Sequence, residues 1–552
     1  MKKLLYISAI LTAFMVSACS DFLEVDPIAR ETEENFFETP DNAILAINGI
    51  YDVIGQSEGS GPDGQWLTHN YEFFFGDLLA DDAEKGSKEA DLQPIQDMVE
   101  WRSGTSNSVL ESVWIKCFDG IYRANVALKW LPQSSLDAEL KSRLEGEAYF
   151  LKGYFYFYMV RVFGGVPLFD EPVGSAEFGS IPRASYHETF EYAALQFEKA
   201  IERLPNKSEY ASSDMGRATL GAAQGYLARL RMYQIGMDAE STVTYQEVKD
   251  LTTAIMGSGQ YSLMTNYAQL NEFVGENASE SIFELQMIEG STANAPEKTG
   301  TNLNQFTGNR GDWGWGFQNP TQDLVDAFED QDPRLSCSVY GPVYNGGVVQ
   351  GMAYDYKLEE MMTPYLNRKT AMADAEKPSI TKSSAYNIRK MRYTEILLLH
   401  AEVEIELGNY TVAEDIIESI RARARTSTMA RGFAEGQLSY PSTGWGGNLP
   451  YLGVPAERDA AIDLLLKEKR VEMANEGLRF WDLVRHGKYL DMLDHKQATF
   501  TNNDGNLRYE NVSLRANCVE KCIDGKNGVQ VPLMPIPESE VNDWGLTQNK
   551  GY

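Results

Sequence analysis

Residues 120–132 read Gly120-Ile121-Tyr122-Arg123-Ala124-Asn125-Val126-Ala127-Leu128-Lys129-Trp130-Leu131-Pro132. Gly120, Ala124 and Ala127 recur at spacings of four and three, so they share one face of a helix. Pro132 ends that helix, because its nitrogen has no hydrogen to donate and its ring crowds the preceding turn. Ala193, Phe197, Ala200 and Pro205 repeat the spacing without a slip. A later segment fits with Ala401, a Gly408-Asn409-Tyr410 turn, then Ala413, Ile417 and Ile420, and 249–255 followed by Gly259 is a weaker case. Small side chains on one face let helices approach closely, so the register predicts stacked helix pairs.

Outward from these stretches, apolar residues keep helical spacing over 43–53, 109–131, 140–163, 186–204, 218–235, 393–407, 412–424 and 460–484. Only short extended pieces, 281–288 and 531–536, read as minor ribbons. The register resembles the second helix of tetratricopeptide repeats. The expected fold is therefore mostly α, with about four tetratricopeptide-like helix pairs, long irregular loops and minor β ribbons. Glycine- and aromatic-rich insertions at 55–64, 290–315, 340–351 and 431–453 interrupt the pairs, and loops of such length are usually functional or disordered. Their aromatic content argues for order.

The start of the chain has Lys2 and Lys3, an apolar run over 4–16 too short to span a bilayer, and Val16-Ser17-Ala18 before Cys19. This resembles a lipobox, which implies a signal peptide at 1–18 and acyl chains on Cys19. At about 0.8 kcal/mol per buried methylene, two or more chains hold a soluble domain on a membrane. The body divides into an N-terminal region, 19–240, and a C-terminal region, 241–552, packed as one unit. The densest later apolar stretch, 148–166, is interrupted by Lys152, Arg161 and paired glycines and reads as a buried helix. A net charge of −31 repels phosphate backbones and argues against nucleic-acid partners. Cys117, Cys337, Cys518 and Cys522 lack the spacing of a zinc site, which leaves disulfide or inert thiol open.

Several motifs have the look of catalysis without its context. Residues 55–59 match a nucleophile elbow and 59–64 a dinucleotide fingerprint, but neither follows a strand. No two of the five histidines share a metal-binding spacing, and His400 sits in a Leu- and Ala-rich helix as a core histidine would. The densest cluster is Glu468-Lys469-Arg470-Val471-Glu472, continuing through Glu476, Gly477, Arg479, Asp482, Arg485 and His486. With a turn at Gly477 these charges can meet across two helices, and without a nucleophile or ligand set they read as a structural ion network. No catalytic residue, cofactor or metal is expected.

The same cluster carries a specific resemblance. Residues 468–487 are similar to the C-terminal signature of the SusD/RagB family of surface lipoproteins, and further family-like pieces follow in order at 19–27, 122–125, 163–168, 389–402, 533–537 and 548–552. Lys550 departs from the expected proline. The resemblance implies a non-enzymatic, lipid-anchored protein of the outer membrane, facing outward. It would capture oligosaccharide or polysaccharide for a SusC-like TonB-dependent transporter, with its repeat side on the transporter and its loop side on the ligand. The alternatives are an oligopeptide-binding lipoprotein of the RagB type and a lipid-anchored glycoside hydrolase.

A neutral sugar has apolar C–H faces and a hydroxyl rim, so its binder presents aromatic platforms edged by amides and charges. Asn309, Arg310, Asp312, Trp313, Trp315 and Phe317 supply that mixture, and in an extended segment the three rings would share one side. Asn319 would cap a following helix with Pro320 at its first position. Trp66, Tyr71, Asp81, Asp82 and Trp101 are candidates for a second wall, and Arg389 is placed with them on family resemblance.

Overall fold

Helix pairing along this chain follows sequence order. In the computed structural model α1 (Pro40–Gly55) packs on α2 (Ser108–Trp130), α3 (Ala138–Phe163) on α4 (Tyr186–Ile201), α5 (Leu220–Met237) on α6 (Tyr245–Gly257), and α7 (Tyr393–Glu406) on α8 (Tyr410–Thr426). Each second helix also packs on the first helix of the next pair, and α9 (Arg458–Glu472) closes the stack against α7. The structure describes residues 33–55, 71–88, 90–290, 300–341, 360–379, 383–433, 436–441, 449–496 and 514–552. Cys19 with its lipobox, residues 56–64 of the two glycine motifs, Trp66 and the central parts of the later insertions lie outside the described residues.

Local chemistry explains where the helices start and how closely they approach. The Asn107 side chain accepts the amides of Val109 and Leu110 at the start of α2, and Ser185 with Glu188 and Thr244 with Glu247 form capping boxes on α4 and α6. Such caps are worth about 0.5–2 kcal/mol each. A Cβ on Gly120 would lie 2.2 Å from the Phe155 ring of α3, and one on Gly153 would lie 3.0 Å from the Phe197 ring of α4. Gly120 of the repeat register and Gly153, opposite Phe197 of the register, are thus sockets for aromatic rings. Residues 150–163 of α3 are buried on every side, with the Arg161 guanidinium 4.3 Å from the Phe157 ring centre and 4.8 Å from that of Trp481. That burial accounts for the apolar run at 148–166. Among the described residues no helix is long and apolar enough to cross a membrane.

The strands are minor. Four antiparallel ribbons occur among the described residues: β1 (Ala83–Gly86) with β3 (Phe317–Pro320), β2 (Ser281–Leu285) with β6 (Ile388–Arg392), β4 (Val339–Tyr340) with β5 (Leu366–Asn367), and β7 (Cys522–Asp524) with β8 (Gln530–Pro532). The helical pattern over 460–484 is two helices, because Asn475 and Gly477 adopt left-handed conformations (φ +60° and +77°) that turn the chain from α9 into α10 (Arg479–Arg485).

That turn assembles the charged cluster. Glu472 accepts from Arg423 at 2.6 Å, Arg392 at 2.9 Å and Arg334 at 3.1 Å. Burial by itself would raise its carboxyl, and the charges of Arg423, Arg392 and Arg334 outweigh burial and hold it at about 2. Asp482 binds Lys469 at 2.9 Å and Arg485 at 2.7 Å, and Arg485 grips Glu402 with two nitrogens. All these groups are buried. His400 is held between Thr252 at 2.8 Å and Glu404 at 3.2 Å, and Cys117, Cys337, Cys518 and Cys522 are buried free thiols.

Candidate functional site

The Trp313 segment lies in the insertion between α6 and α7. A short helix, Leu303–Thr307, precedes it and β3 follows, with Gly86 of β1 opposite Phe317. The segment is folded back on itself and not extended. The amides of Gly314, Trp315 and Gly316 donate to the carbonyls of Asn309 (2.9 Å), Gln305 (2.7 Å) and Gly308 (2.8 Å). A Cβ on Gly314 would lie 2.1 Å from the Gly308 backbone, so the crossing requires glycine there. Left-handed Gly316 and Gln318 (φ +77° and +54°) then redirect the chain.

This geometry separates the three rings expected on one side. Trp313 sits in the turn, half-buried. Trp315 is half-buried and meets Phe306 edge-on at 6.3 Å. Phe317 is 5% exposed and stacks on Phe306 with ring centres 4.4 Å apart, which makes it a core residue and not a platform. Asn319 does not cap the next helix. Its side chain bonds Gly316 and Met362 backbone, Thr321 caps Gln322–Ala327, and Pro320 completes β3.

Ion pairs clamp both flanks of the turn. Arg310 donates to Asp91 at 2.6 Å and Glu360 at 2.7 Å, and it also reaches Ser87. Burial would raise Asp91, and hydrogen bonds from Ser87 and Arg310 bring it below the ordinary range instead. Asp312 pairs with Lys377 at 2.5 Å, and Lys377 pairs with Asp374 at 2.8 Å. Asn309 is 3% exposed, so it supports the loop from within. Its Nδ2, with Asn304 Oδ1 and Gln305 Oε1, is buried without a hydrogen-bond partner among the described residues. Since Gln305 Nε2 donates to the Trp313 carbonyl at 3.2 Å, this underused polar group adjoins the half-buried turn.

The second wall does not form as expected. Trp101 is 1% exposed, its Nε1 donates to Tyr489 at 2.8 Å, and it is part of the core. Asp81 accepts two bonds from Arg479, at 2.8 and 3.0 Å, and Asp82 accepts Arg470 at 2.7 Å. Burial opposes the ionised form of Asp81, but the Arg479 hydrogen bond and the charges of Arg470 and Arg479 hold it at about 2. The pair is committed to the scaffold. Arg389 lies on β6 over the Tyr386 ring at 4.9 Å and donates to the Glu272 carbonyl at 2.6 Å. Tyr71 begins a helical turn, its side chain lying outside the described residues, as does all of Trp66. Lys377 and Glu360 frame the turn and carry no distinguishing local signal, since each is defined by a partner remote in sequence.

The model of the SusD family matches residues 279–552, and a second model, described as starch-binding associating with outer membrane, matches residues 28–232. This chain belongs to the SusD family. A SusD-like protein of Formosa agariphila is 25% identical over 501 residues, covering 87% of this chain and 90% of the relative. A SusD-like protein of Bacteroides ovatus is 21% identical over 95% of this chain and 88% of its own length. Among solved structures, surface glycan-binding protein A from Bacteroides fluxus superposes with a TM-score of 0.71 at 23% identity, over 93% of this chain and all of that one (100%). The corresponding protein from Bacteroides thetaiotaomicron, in complex with laminarihexaose, gives 0.68 at 20% identity, over 92% and 99% of the two chains. These likenesses establish the SusD fold, with its helix-pair stack and inserted loops.

Proposed function

We propose that this SusD-family chain is a surface glycan-binding lipoprotein, anchored through Cys19 in the outer membrane, that captures oligosaccharide for a TonB-dependent transporter and performs no chemistry on it. The supporting observation is the Trp313 turn, a half-buried indole held between the Arg310 and Asp312 ion pairs and above buried amides with spare hydrogen-bonding capacity. Trp313 and Trp315 stack on the apolar faces of pyranose rings, while Asp312 and Arg310 meet hydroxyls at the edge. Phe317, Asn309, Trp101, Asp81 and Asp82 hold the fold beneath. Two similar solved proteins bind laminarin or laminarihexaose by their descriptions, so laminarihexaose is the first probe.

The test is calorimetric titration of the mature chain with laminarihexaose and a glycan panel, repeated with Trp313→Ala. Loss of binding in a folded Trp313→Ala protein supports the reading. Unchanged affinity refutes the platform, saturable binding of oligopeptides in place of glycans moves the ligand class, and new reducing ends from a polysaccharide reveal an enzyme. Co-purification with a transporter from outer membranes, lost on Cys19→Ala together with palmitate labelling, tests the anchor and the partner.

A further inference from the structure

None of the Trp313-segment residues lines a cleft of about 720 Å³ formed by α2, residues 169–174 and the helix Glu538–Trp544. Its floor is aromatic. Phe118 lies 5.3 Å from Trp544 and 5.5 Å from Phe169 between ring centres, and Trp114 lies 6.3 Å from Trp544. Ile115 and Tyr122 at the lining, two turns apart on one face of α2, are 47% and 43% exposed.

Two independent features specify what fits there. Glu171, Glu540 and Asp543 line the cleft, and no lysine or arginine among the described residues forms an ion pair with them, whereas the neighbouring Asp119 is neutralised by Arg123 at 3.0 Å. Asn125, 1% exposed and also in the lining, donates both Nδ2 hydrogens to the carbonyls of Phe169 (3.0 Å) and Glu171 (3.2 Å). Those two acceptors fix the amide orientation and leave Oδ1 buried with no partner among the described residues. The cleft therefore offers ring faces, three carboxylates without an ion-pair partner among the described residues, and an unused acceptor. Ring faces attract cations, and an acceptor needs an N–H or O–H donor. A neutral ligand seated here would strip water from the carboxylates without supplying a counter-charge.

We propose that this aromatic, carboxylate-edged cleft binds an organic cation, an ammonium or guanidinium group carried on an apolar stem. The cation comes either from a free amine or from a basic side chain of a polypeptide, and the test separates the two sources. The mature chain is titrated with phenethylammonium and with N-acetylarginine amide, each beside its neutral twin, phenethyl alcohol or N-acetylcitrulline amide, following indole fluorescence and heat. Saturable cation binding at least about ten-fold tighter than the twin, weakened by added salt, is the expected result. The combined substitution Glu171→Gln, Glu540→Gln, Asp543→Asn lowers that affinity about ten-fold or more while the thermal midpoint holds. Should the triple variant fail to fold, Glu171→Gln alone, at an exposed position, carries the same comparison. Response to both cations assigns a free-amine site, and response to N-acetylarginine amide alone assigns a polypeptide side chain. Equal binding of the neutral twins, displacement of the cation by a neutral oligosaccharide, or no saturation by either cation at millimolar concentration overturns the proposal.

Discussion

The charged groups around Glu472 and those around Arg310 use the same chemistry to different ends. Glu472 is buried among three arginines drawn from β6, α8 and the short helix Pro333–Ser338, so it ties the helix stack to the inserted segments. Arg310 is partly exposed and ties one loop to two others. Removing one partner of a buried pair leaves the rest desolvated and uncompensated, whereas an exposed pair is largely replaced by water. Burial, more than charge density, separates the scaffold network from the loop clamp.

Glu472→Ala is the strongest way to break that contrast. It removes the carboxylate that Arg334, Arg392 and Arg423 share, leaving these buried guanidinium groups with only their other acids, and is expected to cost about 3–5 kcal/mol, read as a collapse of the chemical-denaturation midpoint. If it costs no more than Arg310→Ala, the network is not structural. Acid probes the same site without mutation. The folded-state carboxyls of Glu472 and Asp81 lie at about 2, below their ordinary values, so their contribution is complete above the unfolded values near 4.5 and 3.8. It is lost as pH falls from there toward 2. Urea midpoints at pH 7, 5 and 3 should be flat over the first step and drop over the second.

Smaller effects sharpen the comparison. Gly120→Ala drives a methyl into the Phe155 ring and is expected to lose about 1–3 kcal/mol of stability, measured by thermal unfolding, with glycan affinity intact. Trp313→Ala should do the reverse, weakening laminarihexaose about ten-fold with little change in melting. Asp312→Asn removes one partner of an exposed lysine pair, so its stability change should stay under about 1 kcal/mol and its effect on affinity should be the smallest of the series.

The helix stack was legible because its determinants are local: spacing, caps, glycine sockets and terminating prolines all fall within a few turns of the helix they define. The charged cluster was legible as a network for the same reason. The loops around the Trp313 turn were less so. Trp101, Asp81 and Asp82 look like loop residues in sequence, yet their partners Tyr489, Arg479 and Arg470 lie nearly four hundred positions away. The one available hint was that Arg470 and Arg479 stood in the cluster without assigned acids. Phe317 was misplaced because alternation assumes an extended backbone, and two left-handed residues on either side of it reset the alternation. Composition singled out the Trp313 segment but could not report which rings face inward.

The β2–β6 ribbon has a wider consequence. It joins the two ends of everything between Leu285 and Ile388, next to where α7 begins, so the inserted chain leaves and re-enters the helical frame at a single stem. Closing a longer loop costs only slowly more entropy, so a stem of this kind tolerates inserts of very different length and shape. In such an architecture the insert can be exchanged by grafting on its stem, provided the graft keeps the Phe317–Pro320 strand that docks on Ala83–Gly86.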